Sequence, residues 1–256
     1  MKLTVKEHNT NPIIIHGNGT GRQTYTWENT TKYFRTTSKK VSNKFTVVSW
    51  KGGSIQGKKT ILEESLESYG VNVLNLPWHP VGGSWKESQQ KMTETLKAIK
   101  SNMIDTEYMF FLDNSDVAFI DSPDLVFDRY KQYFSNYNIV FSAERGNHPT
   151  PNHAKWNGSN PENGVTEMMW DTITEDNTYL NTAYKYLNAG AAFGKVSTFE
   201  KLLEDSISIM GNSRICDQAL IRINQTKMKD VVCIDRECKI FFSCFNTNEN
   251  DVIIEK

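Results

Sequence analysis

The sequence predicts a single α/β domain, a central sheet with helices on both faces, and three observations lead there. Apolar runs of strand length alternate with segments of helical spacing between residues 45 and 112, in the order strand, helix, strand, helix, strand. Tyr108-Met109-Phe110-Phe111-Leu112 is an unbroken apolar run, which fits a strand buried on both faces, as in a parallel sheet covered by helices. Two aspartates, Asp113 and Asp116, follow that run directly, at the strand end where open α/β sheets bind their ligands.

Along the chain, Pro12-Ile13-Ile14-Ile15 reads as a short buried strand closed by the turn His16-Gly17-Asn18-Gly19. Residues 35–44 are polar and aperiodic, as a linker is. Phe45–Ser49 is the next strand, and Ile61, Leu62, Ser65, Leu66 and Tyr69 then recur at helical spacing until Gly70. Residues 71–76 alternate like a strand. Residues 77–85, with Pro, Gly-Gly and two tryptophans, read as a loop before a helix over 86–100 that carries Met92, Leu96 and Ile99 on one face. A further strand covers 139–143. Residues 146–183, rich in Asn, Pro, Gly, Trp and Thr, form a long excursion of the kind that covers sites.

The bulk properties narrow the class. With 256 residues, 38% hydrophobic and 23% charged, the chain has the composition of a globular protein. No apolar run reaches the roughly 18 residues of a membrane span, and the first residues lack the apolar core of a secretory signal; the expectation is a cytoplasmic protein with no membrane partner. Cys216, Cys233, Cys238 and Cys244 match no zinc-knuckle spacing and are expected as reduced structural thiols. The net charge of −1 conceals an asymmetry: residues 1–60 hold eleven Lys or Arg against two Asp or Glu. A basic edge of this kind attracts a polyanion, although a solvated face needs no partner.

The chemistry concentrates at Asp113-Asn114-Ser115-Asp116. Two carboxylates three residues apart on a turn can face one hard divalent cation, Mn²⁺ or Mg²⁺, with substrate phosphates completing the shell. The bland alternative is a turn cap at Asp113 and a solvated Asp116.

Phe111–Val117 resembles the metal-binding segment of the glycosyltransferase domain of lysyl hydroxylases, the procollagen galactosyl/glucosyltransferase family. The resemblance continues in order through Ser122-Pro123-Asp124-Leu125, Val140–Glu144, Tyr186–Gly194, Asp217-Gln218 and Ile234–Phe241, so it spans residues 45–256. It implies a GT-A-type, Rossmann-like mixed sheet and a hexose transferred from a UDP-sugar. In the family, an "HGNG" element near the domain's end supplies a histidine to the metal. Here His16-Gly17-Asn18-Gly19 stands near the start, and residues 250–256 look like the strand that should precede it. The order implies a circular permutation, with residues 1–34 as the displaced C-terminal segment and 35–44 joining the former ends.

On this resemblance the metal ligands are His16, Asp113 and Asp116. The donor is held by Val48, Trp78, Trp85, Lys91, Asp113, Asn18, Gly19, Arg22, Gly190 and Gln218, with Arg22 standing where the family has a lysine. Asp217 is the candidate acidic group at the sugar or acceptor hydroxyl, and Asn188 and Gln218 would bond sugar hydroxyls. A helix-terminal carboxylate is the rival for Asp217, and packing the rival for both tryptophans. Three departures stand out: Cys216 replaces a family aspartate, Arg236 replaces a histidine, and residues 146–183 align with nothing in the family. The expected acceptor is a hydroxyl on a macromolecule, either a hydroxymethylated DNA base, as in viruses that glycosylate their genomes, or a protein side chain or glycan. A non-catalytic nucleotide-sugar or glycan-binding module and a UDP-sugar hydrolase are the competing functions.

Overall fold

The computed structural model describes residues 2–31, 41, 45–79, 84–148, 180–210 and 216–255, with the backbone alone for residues 54 and 84–87. The expected linker at 35–44 (Val41 apart), most of the excursion over 146–183 and the side chain of Trp85 lie outside the described residues.

The chain opens with β1 (Lys2–Val5), β2 (Ile14–His16) and, after a 3-10 turn at Gly19–Gln23, helix α1 (Tyr25–Thr31). Then come β3 (Phe45–Lys51), α2 (Ile61–Glu67), β4 (Val73–Pro77), α3 (Ser84–Lys100), β5 (Tyr108–Leu112) and β6 (Val117–Phe119). The remainder supplies α4 (Pro123–Tyr133), β7 (Ile139–Glu144), β8 (Tyr186–Lys195), α5 (Val196–Met210), α6 (Asp217–Lys227), β9 (Val232–Asp235), β10 (Phe241–Ser243) and β11 (Val252–Glu255).

The main sheet has six strands in the order β4-β3-β5-β8-β7-β9. It is mixed: β3 pairs parallel with β4 and β5, and β7 with β9, whereas β8 runs antiparallel to β5 and β7. The mixed sheet that the resemblance implied is thus present, with β8 as its antiparallel strand. Burial on both faces demands a continuous apolar run whatever the direction of the neighbouring strand, so such a run carries no directional signal.

Alternate residues of β5 enter two cores. Met109 and Phe111 join Met92 and Ile99 of α3, Phe199 and Leu202 of α5 and Leu220 of α6 on one face. Phe110 and Leu112 join Leu62 and Leu66 of α2 and Val126 and Tyr130 of α4 on the other. The α/β fold with helices on both faces is thus as the sequence predicts. Each of these buried side chains contributes about 1.5–3 kcal/mol relative to exposure.

Boundaries moved where a local signal outweighed the periodicity. Helix α2 starts at a capping box, in which the Thr60 hydroxyl accepts from Glu63 N and the Glu63 carboxylate accepts from Thr60 N. Helix α3 begins at Ser84, within the stretch read as a loop; Ser84 followed by Glu87 is itself a helix-start pattern. No helix among the described residues is long and apolar enough to cross a membrane.

A second, three-stranded sheet, β10-β2-β6, carries the N-terminal segment to the strand end of β5. Strand β2 runs parallel to β10 and antiparallel to β6, with His16 opposite Val117 and Ser243. Separately, β1 pairs antiparallel with β11, Lys2 lying opposite Glu255.

Candidate metal and donor site

Sheet register brings the three predicted ligands together. Pairing of His16 with Val117 places the imidazole beside Asp116, and Gly17 N donates to Asp116 O at 2.7 Å. Asp113 leaves β5 with its N–H on Gly190 O at 2.8 Å. His16 Nε2 lies 3.6 Å from Asp116 Oδ1 and 3.8 Å from Asp113 Oδ2. One oxygen or nitrogen from each residue falls within 4.8 Å of the other two.

The tautomer of the neutral His16 ring follows from its other nitrogen. Asn188 Oδ1 accepts from Gly190 N at 2.9 Å, while Asn188 Nδ2 donates to Glu144 Oε2 at 3.1 Å. Those two bonds fix the amide's orientation, so His16 Nδ1, 2.9 Å from Asn188 Oδ1, must be the donor. In the neutral ring, Nε2 then turns its lone pair toward the two carboxylates. Nε2 and Asp116 Oδ1 are both buried and have no hydrogen-bond partner in the protein. Unpaired buried polar atoms are costly, and two of them facing one point fit a shared cation. Octahedral Mn²⁺ or Mg²⁺, with ligands at about 2.1 Å, needs neighbouring donors about 3.0 Å apart, slightly inside the observed spacing. The donor set of one imidazole and two carboxylates suits such an ion.

Backbone geometry makes room for it. The β7–β8 register slips between Phe141, paired with Ala192, and Ser142, paired with Asn188, so Ala189, Gly190 and Ala191 bulge from the ladder. A Cβ at Gly190 would sit 2.2 Å from His16 Cε1 and 2.7 Å from Asp113 Oδ2. Close approach, rather than an unusual φ, therefore requires glycine here.

Charged neighbours surround the cluster. Arg22 donates to Asp116 Oδ2 and to Ser115 Oγ, both at 2.9 Å. Lys91 binds Asp113 Oδ1 and approaches Asp217 Oδ2 at 3.7 Å. Burial opposes the charge on Asp116, but His16 and then Arg22 overcome it and hold the carboxyl below the usual range. Burial likewise opposes the His16 cation, and Asp116 and Asp113 outweigh it, so the imidazole pKa is raised. Lys91 is raised in the same way, by Asp113 and Asp217 against its burial. Burial pushes Glu144 and Asp217 upward.

Two hollows meet at Ser88, Lys91 and Asp113. One, of about 290 Å³, is bounded by Trp50, Ile55, Trp78 and Asn114, with Arg22 and Asp116 at its edge. The other, of about 380 Å³, has His16, Asn188, Gly190 and Glu144 on its walls, together with Asp217 and Phe245.

The predicted residues separate against this geometry. His16, Asn18, Gly19, Lys91, Asp113, Asn188, Gly190, Asp217 and Gln218 line the larger hollow, and Arg22, Trp78 and Asp116 the smaller. Val48 does not reach either one. It is fully buried in the core on the α3 face of the sheet, and two residues along β3 Trp50 takes the lining position. The amides of Asn188 and Gln218 are engaged inside the protein. Gln218 donates to Glu144 Oε1 at 2.7 Å and accepts from Ala189 N at 3.0 Å. Asp217 is both things the sequence offered, the first residue of α6 and a cavity wall. Cys216 caps that helix, its sulfur accepting from Ala219 N, and lies in the core, where burial pushes the thiol up to about 12. All four cysteines are free thiols.

Sequence reasoning missed Glu144, Trp50 and Phe245. Glu144 is 3% exposed and accepts from Asn18, Asn188 and Gln218, tying three site residues together. A charged residue closing the apolar run Ile139–Ala143 was its available signal.

No protein-family model matches the chain, and no curated protein does. Among solved structures, it is similar to mouse xyloside xylosyltransferase 1 in its apo form, at 9% identity and a TM-score of 0.40, with 74% of this chain and 84% of that chain covered.

Proposed function

We propose that the chain is a GT-A-type, metal-dependent hexosyltransferase that takes its sugar from a UDP-sugar and passes it to a hydroxyl of a macromolecular acceptor. The observation that carries this reading is the facing pair of buried, unpartnered atoms, His16 Nε2 and Asp116 Oδ1, completed by Asp113. His16, Asp113 and Asp116 would hold Mn²⁺ or Mg²⁺, which supplies charge compensation for a departing diphosphate.

The protein's own groups take the remaining roles. The hollow between Trp50, Ile55 and Trp78 offers flat apolar walls for a nucleoside, and the larger one offers polar walls for a sugar. Arg22, half exposed beside Asp116, and Lys91, beside Asp113, stand where the diphosphate would join the two. Asn188 orients His16 rather than a sugar, and Glu144 anchors Asn188 and Gln218. Asp217 lines the cavity beside Lys91, 3.7 Å away, so it is the group to accept a hydroxyl's hydrogen bond or proton.

The acceptor side favours an uncharged hydroxyl compound over DNA. The larger hollow carries Asp113, Glu144 and Asp217. Of the basic residues that suggested a polyanion, Arg22, Lys51 and Lys59 are paired with carboxylates. The permuted order of segments is supported by the β1–β11 pairing, since Lys2 opposite Glu255 is how a hairpin would join the two strands.

The test is thermal stability with Mn²⁺ and a panel of UDP- and GDP-hexoses. A UDP-hexose at a hundred times its Kd should stabilise the protein by about 2.7 kcal/mol in the presence of Mn²⁺. Equal stabilisation with and without the metal, or none from any UDP-sugar, would overturn the proposal.

A further inference from the structure

Phe245 is the only large apolar side chain lining the larger hollow among the described residues; the rest are polar or small. Two glycines flank its ring, Gly146 tightly and Gly19 more loosely. A Cβ at Gly146 would fall 2.4 Å from its Cε1 and 3.0 Å from its Cδ1, while one at Gly19 would lie 3.6 Å from both Cδ2 and Cε2. Glycine at both positions keeps a Cβ away from these ring atoms, and the ring lines the cavity. A relay of hydrogen bonds holds its backbone in register with the polar wall. Phe245 N donates to Ser243 Oγ at 3.3 Å, Ser243 Oγ donates to Asn18 Oδ1 at 2.7 Å, and Asn18 Nδ2 donates to Glu144 Oε2.

We propose that Phe245 is the platform on which a pyranose ring stacks, which makes it a specificity-determining residue of this site. A hexopyranose presents a patch of axial C–H groups on one face and hydroxyls around its rim. An aromatic face inside a cavity bordered by Asp217, Lys91 and Ser88 matches both features at once. A stacked nucleobase would also fit an aromatic ring, but its phosphates would then lie toward Asp217 and Glu144, away from the proposed cation site. The pyranose can belong to the donor or to an acceptor glycan. The placement in a sugar-transfer site rests on the function proposed above; the stacking itself does not.

Isothermal titration of the full chain with separate probes tests it. UDP and UDP-glucose with Mn²⁺ form the donor arm, and methyl β-glucoside and methyl β-galactoside, with and without UDP, form the acceptor arm. Phe245→Leu should leave UDP affinity unchanged and weaken a pyranose-bearing probe roughly threefold to tenfold, while Phe245→Tyr, which keeps the face, should bind like the parent protein. Loss confined to UDP-glucose assigns the platform to the donor sugar, and loss confined to the glycosides assigns it to an acceptor. Unchanged affinity for every pyranose probe overturns the proposal. So does equal weakening of UDP, or a parent protein that binds no pyranose probe, or one that binds 5-hydroxymethylcytidine in a Phe245-dependent way while ignoring the glycosides. A parent protein that binds glycosides but no UDP would instead overturn the UDP-sugar reading and leave the platform standing.

Discussion

Alanine at position 190 would drive a methyl group into the ligand cluster, and the size of the disturbance can be worked from the geometry. The added Cβ would fall 2.2 Å from His16 Cε1, 2.7 Å from Asp113 Oδ2 and 2.9 Å from His16 Nε2, all short of the 3.4 Å where ordinary contact begins. Neither side yields freely. His16 is held by strand pairing on both flanks and by Asn188, and the bulge is held by the bond from Asp113 N to Gly190 O. The imidazole or the bulge must therefore move by about an ångström, a strain of about 1–3 kcal/mol. Displacement of one ligand should weaken Mn²⁺ binding by about 10- to 100-fold. Titration of Mn²⁺, followed by the EPR signal of the free ion, measures the affinity, and calorimetry measures the melting temperature. Gly190→Ala with unchanged Mn²⁺ affinity would refute the placement of the ion between His16 and Asp113.

Other perturbations bear on separate parts of the account. Asn188→Ala removes the acceptor that fixes the His16 tautomer and should weaken Mn²⁺ by about tenfold or more while the fold persists, as circular dichroism would show. Protons compete with the metal for His16, and the raised imidazole pKa makes that competition begin at a higher pH than for an ordinary histidine. Below that pKa, Mn²⁺ affinity should fall by about tenfold per pH unit. The sign reverses for the metal-free protein, because a raised folded pKa adds stability at low pH. Its melting temperature should rise as pH falls from above the folded His16 pKa toward the ordinary 6.5, a trend that calorimetry without metal can check. Thr60→Ala breaks the α2 capping box and should cost about 0.5–2 kcal/mol in urea unfolding without altering Mn²⁺ affinity. A chain rejoined between β11 and β1 by a short turn and opened within residues 35–44 should fold and bind Mn²⁺ like the parent, if the segment order is permuted.

What was legible in the sequence was whatever a short contiguous pattern encodes. The run Tyr108–Leu112 marked the central strand, and Asp113 and Asp116 were placed by their position after it. His16 was not legible from its own surroundings, because the pairing that brings it to Asp116 joins strands about a hundred residues apart; only a resemblance of motif order suggested it. Val48 was misassigned because proximity to a site in sequence says nothing of which face of a sheet a side chain takes. Glu144 and Phe245 were missed for a related reason. Their placement at the cavity wall depends on the β7–β8 register slip and on the approach of Gly146 to the Phe245 ring, contacts distant in sequence, so the charged end of the run Ile139–Ala143 marked Glu144 without showing what it touches. Cys216 was legible as a reduced structural thiol, and what the sequence did not show is that its sulfur caps α6.

In the proposed site His16, Asp113 and Asp116 hold one divalent cation. Pulsed EPR of the protein loaded with one equivalent of Mn²⁺ addresses it directly, since ¹⁴N coupling from a bound imidazole is resolved from oxygen-only coordination. Shared coordination predicts the coupling of a single histidine nitrogen in the parent protein and its loss in His16→Ala, with Asp116→Ala weakening Mn²⁺ binding to a similar degree. Mn²⁺ bound with no nitrogen coupling, or with coupling that survives His16→Ala, would contradict it.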